Sequence, residues 1–92
     1  MKLVVATIAS LLAVTVAQAA EAPAGATACS GCHPGSTTDN APTPLIGMKA
    51  DDIKAAMLAF RSGARSATVM DRIAKGFSDA EVAAIADWYA NQ

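Results

Sequence analysis

Ninety-two residues allow at most one small domain. Seven basic residues against eight acidic ones give a formal net charge of −1, with no basic run or cationic stripe, which argues against nucleic acid as a partner. The hydrophobic share, 53%, is high for so short a chain, and much of it lies at the N-terminus.

The first element is that apolar run. Leu3 to Ala17 is interrupted only by Thr7, Ser10 and Thr15, is preceded by Lys2, and is followed by Ala17-Gln18-Ala19. A positive start, a short apolar stretch and small residues spaced for a peptidase predict a secretory signal over residues 1–19 rather than a membrane span. Cleavage is expected after Ala19, with Ala22 as the alternative site, leaving residues 20–92 as one domain without stable membrane insertion. Export of this kind places the domain in the periplasm.

Ala20 to Thr27 is made largely of small residues, half of them alanine, and is expected to form a short helix leading to Cys29-Ser30-Gly31-Cys32-His33. That spacing is a c-type haem attachment signature. At a helix end, positions i and i+3 share one side, so both thiols can add across haem vinyl groups. The next residue then places an imidazole nitrogen on the iron. A disulfide between Cys29 and Cys32 suits an oxidising compartment. A redox dithiol calls for a βαβ pattern, and a zinc site for about four ligands. A covalent haem would also stabilise a chain this short.

Pro34 to Pro44 reads as a loop. A helix is predicted over Ala50 to Ser62, with Ile53, Met57 and Phe60 on one face, Asp51 and Asp52 in the first turn, and Gly63 to end it. Ala64 to Gly76 is a connector with a helical turn at Asp71 to Lys75. Ser78-Asp79-Ala80-Glu81 forms a capping box that starts a last helix running to about Asn91. Val82, Ile85 and Tyr89 share one face of it. No convincing strand, repeat or second domain is present, so the expected class is all-α.

His33 is the single histidine, which excludes bis-histidine ligation. A thioether is then the natural sixth ligand for an electron carrier. Met57 falls on the apolar helix face, where packing explains it. Met48 follows His33 closely in sequence. Met70, in the connector after extended-favouring Thr68-Val69, has the better topology for crossing the far haem face.

These residues resemble class I cytochromes c. Thr68-Val69-Met70-Asp71-Arg72-Ile73-Ala74-Lys75-Gly76-Phe77-Ser78-Asp79 is similar to the sixth-ligand segment of the cytochrome subunit of flavocytochrome c sulfide dehydrogenase, and Met57-Leu58-Ala59-Phe60-Arg61-Ser62-Gly63 fits that family's middle helix. The resemblance implies a small class I fold wrapped around one covalent haem c. It implies Cys29 and Cys32 as anchors, His33 as proximal ligand and Met70 as distal ligand. It also implies a proline whose carbonyl accepts the histidine N–H. Pro42-Thr43-Pro44 offers two prolines, of which Pro44 is favoured, and a turn-forming role for both competes. His33-Pro34 departs from the family's usual His-Gly.

The implied role is a haem subunit that accepts electrons from a sulfide-oxidising flavoprotein. The chain has no GxGxxG motif in a βαβ unit for a flavin dinucleotide, so catalysis would belong to the partner. A free shuttle between respiratory or photosynthetic redox partners is the alternative, and a gas or redox sensor a third. The last helix is expected to cross the first, its Ala83, Ala84 and Ala86 permitting close approach. Trp88 fits either that seam or the surface.

Overall fold

A computed structural model of the chain describes residues 20–35 and 42–92. The expected signal segment, residues 1–19, lies outside the described residues. Four helices are present: α1 (Ala26–Cys29), α2 (Ala50–Ser62), α3 (Met70–Ala74) and α4 (Asp79–Ala90). Among the described residues there is no strand, so the class is all-α. None of these helices is long and apolar enough to cross a membrane.

The first helix is later and shorter than its alanine content suggests. Gly25 sits at φ +85°, a left-handed conformation that a right-handed helix cannot include. The turn begins only after it. The Phe77 ring also presses on this glycine, at 2.6 Å from where a Cβ would stand. Propensity favoured a helix through Ala20 to Thr27; the tertiary contact with Phe77 and the Gly25 turn prevailed.

Helix α2 has the predicted ends. Asp51 and Asp52 face its positive pole, Arg61 its negative pole. Gly63 at φ +81° reverses the chain. Helix α3 begins one residue before the expected turn, at Met70. The capping box of α4 is formed: the Glu81 N–H donates to Ser78 Oγ at 3.2 Å, and the Ser78 N–H donates to Glu81 Oε1 at 3.0 Å.

The helices touch in the order α1–α4–α2–α3, each only its neighbours in that series. Ala26, Ile53, Ile85, Ala86 and Tyr89 form the buried cluster. The seam between α1 and α4 is close because Ala26 and Ala86 are fully buried. Ala83 is only half-buried and Ala84 is exposed, so one of the three expected alanines serves the contact. Trp88 lies half in the seam, edge-on to Tyr89 with ring centroids 4.8 Å apart. Its Nε1–H donates to the Ala20 carbonyl at 3.2 Å, which pins the stretch before α1. The Tyr89 hydroxyl donates to the Ala26 carbonyl. Arg61 joins α2 to the start of α4 through the Asp79 carboxylate and, at 2.9 Å, the Phe77 carbonyl.

Candidate functional site

The end helices of the series, α1 and α3, do not touch, yet residues of both line one cavity of about 590 Å³. That volume is in the range of cofactor and ligand pockets. Ile53, Met57 and Phe60 of α2 form one wall and Val82 and Ile85 of α4 another. These are the apolar faces that the helical spacing predicted, and they point as much into the cavity as into the core.

Cys29 closes α1, and the chain then tightens into turns. The Cys32 N–H donates to the Cys29 carbonyl at 3.2 Å and the His33 N–H to the same oxygen at 2.8 Å. This brings Cys29, Cys32 and His33 to the cavity together. Cys32 is exposed and Cys29 half-buried. Burial pushes the Cys29 thiol pKa up, offset in part by a backbone hydrogen bond, and its Sγ lies 3.7 Å from the Gly25 carbonyl.

His33 Nδ1 is 2.8 Å from the carbonyl oxygen of Thr43. A carbonyl only accepts, so Nδ1 carries the proton and the Nε2 lone pair is left for a metal. The acceptor expected from the sequence was Pro44, with Pro42 as its competitor; the structure gives the role to the residue between them. Pro44 still matters, because a residue before proline is confined to extended backbone. That restriction sets the direction of the Thr43 carbonyl. Pro42 lines the cavity without taking part in the bond.

All three methionines downstream of His33 line the cavity. Met48 and Met57 also pack against the buried cluster, as the packing explanation of Met57 requires. Met70 is not among the residues packed there; it opens α3 at the far end of the helix series from α1. Two lining residues carried no signal in the sequence. Thr43 was hidden behind its prolines. Arg65, whose guanidinium carbon lies 4.7 Å over the Phe60 ring, reaches the cavity only because the Gly63 turn folds the connector back.

Among the described residues no three His, Cys, Asp or Glu side chains converge to hold a bare metal ion. One imidazole with a free Nε2, two thiols beside it and an apolar cavity suit a metal carried in its own macrocycle, which needs only axial ligands from the chain. The donor set and the lining therefore fit a haem.

No protein-family model matches the chain. It is 36% identical over 64 residues to the cytochrome subunit of sulfide dehydrogenase from Chlorobaculum tepidum. The match covers 68% of this chain and 58% of the relative, so the chain spans less than two thirds of that protein's length. The resemblance drawn from the motifs thus extends to sequence similarity over 64 residues, and the strand-free helical architecture of the described residues agrees with a small all-α fold of that kind.

Proposed function

We propose that this chain, which resembles the cytochrome subunit of sulfide dehydrogenase, is an exported single-haem electron carrier that accepts electrons from a sulfide-oxidising flavoprotein. The observation that carries this reading is the convergence of Cys29, Cys32 and His33 on one apolar cavity, with His33 Nδ1 held by Thr43.

Each residue then has a defined task. Cys29 and Cys32 would hold the macrocycle through thioether bonds, and His33 Nε2 would take the proximal axial position. Met70, free of the core cluster, would take the distal one. A haem held by these residues would supply reversible one-electron exchange, and His33 and Met70 would be the side chains that hold its iron. Thr43 fixes the imidazole's orientation and tautomer through Nδ1. Ile53, Met57, Phe60, Val82 and Ile85 exclude water, so a change of oxidation state demands little solvent rearrangement. Nothing in this machinery activates sulfide, so the chain acts as the carrier and its flavoprotein partner as the catalyst. The segment 1–19 would direct export to the periplasm, where haem attachment and the partner are met.

The test begins with the full chain produced in an exporting host. Haem should stay on the polypeptide through denaturing electrophoresis. Sulfide should then reduce that haem rapidly when the flavoprotein is present and slowly without it. Haem that separates on denaturation would sink the covalent reading. A covalent haem that the flavoprotein neither binds nor reduces would favour the free shuttle.

A further inference from the structure

We propose that Arg61 is a positioning residue for Met70: by clasping the far end of the segment that carries this methionine, it sets how firmly the thioether is presented to the cavity. This rests on the reading above of Met70 as the distal ligand. Met70 opens α3, and α3 touches α2 alone among the helices. Residues 62–69, which lead to it, are all exposed, and within α3 only Ala74 is buried. A stretch with so few buried contacts opens at low free-energy cost, so what ties its ends decides where Met70 stands.

Both ties are made to the last turn of α2. At the near end Gly63 reverses the chain at φ +81°, and the Arg65 N–H donates to the Ala59 carbonyl at 3.1 Å. At the far end Arg61 Nη2 donates to the Phe77 carbonyl at 2.9 Å, and Nη1 pairs with the Asp79 carboxylate. The first tie is backbone to backbone; the second hangs on one side chain. Arg61 holds that place although its Nε–H is buried and meets no partner among the described residues, an arrangement that proteins mostly avoid. A guanidinium serving only solubility would keep Nε in water. The fork instead spans a carbonyl and a carboxylate two residues apart, with a planar set of donors that lysine lacks. The other ion pair among the described residues, Lys54–Asp87, joins α2 to α4 and leaves this segment untouched.

A neutral thioether depends on the chain to hold it in place. Tethered to an ordered segment it acts at a high effective concentration, and a loosened tether lowers that concentration. Releasing Phe77 and Asp79 frees one end of the segment and widens the conformations open to it. Arg61 does not line the cavity, so its influence passes through Met70 rather than through contact with the bound group.

The test uses the full chain as ferric holoprotein, with imidazole as the incoming ligand. At saturating imidazole its rate of binding, read from haem absorbance, is limited by the departure of Met70. Arg61→Met keeps the apolar stem of the side chain without its fork. It should raise that limiting rate by about tenfold or more, with the near-infrared band of iron-bound thioether still present before imidazole is added. Arg61→Lys can meet only one of the two acceptors and should raise the rate less. Lys54→Met, which breaks the other ion pair of α2, should leave it unchanged; an equal rise there would make the effect one of general stability and overturn the assignment. A limiting rate in Arg61→Met equal to that of the wild type overturns it too, whatever happens to the denaturant midpoint. Should Arg61→Met yield no holoprotein, Arg61→Lys decides by the same measure. A wild type without the near-infrared band removes the Met70 reading itself, and this proposal with it. An unchanged rate beside an intact band removes the Arg61 assignment alone.

Discussion

His33 has nine residues of chain between it and the carbonyl that orients it, six of them outside the described residues. That separation explains what could be read at this scale. The two cysteines and the histidine were legible because their relation is local, fixed by the geometry of one helix end. Thr43 was not, because its part depends on how a loop returns. The same limit applies to the methionines: sequence ranks them by distance along the chain, whereas packing separates them by what else they touch. Met70→Ala should therefore empty the distal position, lower the potential, admit CO or another small ligand, and abolish the near-infrared band of thioether bound to ferric iron. Met57→Leu conserves volume and should cost under about 1.5 kcal/mol, leaving that band in place, as should Met48→Leu. A band that survives Met70→Ala and disappears in Met48→Leu would reassign the ligand.

Among the elements, α4 was the most legible and α1 the least. Ser78 and Glu81 announce a helix start by chemistry that operates within four residues, whereas the start of α1 is decided by Gly25 and by Phe77, over fifty residues away in sequence. The capping box makes a testable contribution. Ser78→Ala should lower stability by about 1 kcal/mol, read as an earlier denaturant midpoint at neutral pH with haem retained. The Glu81 carboxyl is held below its usual pKa by the Ser78 N–H first and the Ser78 hydroxyl second. A carboxyl with a lower pKa folded than unfolded stabilises above its unfolded value, and that contribution is lost as pH falls through the folded one. Thermal stability should accordingly fall on the acid side of the ordinary glutamate range. Glu81→Gln retains an acceptor and should blunt that loss; an unaltered acid limb would remove the carboxyl from the account.

At the scale of the molecule, the buried cluster among the described residues contains few large side chains. Tyr89 is the largest fully buried side chain among the described residues, and its buried partners are chiefly alanine, valine and isoleucine. Without an occupant, the cavity of about 590 Å³ would leave its apolar walls wet, so the burial those walls could contribute to stability is not gained. Cys29→Ala combined with Cys32→Ala should therefore give a chain without a cooperative thermal transition and with sharply reduced yield after export. A cooperative transition in the haem-free double variant would show that the helices hold together unaided.

Tyr89 lends this arrangement an order in time. Its hydroxyl holds the Ala26 carbonyl at the start of α1, and its carbonyl accepts the Gly47 N–H at 3.2 Å, just beyond the loop that carries Thr43. One residue thus secures the chain on both sides of the His33–Thr43 bond, and it lies 63 positions downstream of Ala26. On the export reading the chain would reach the periplasm unfolded and led by its N-terminal part, so Cys29, Cys32 and His33 would stand as an open, unclosed segment before Tyr89 arrives. Chemistry on the thiols has its widest access in that interval, and the arrival of α4 then shuts the frame around whatever has been attached.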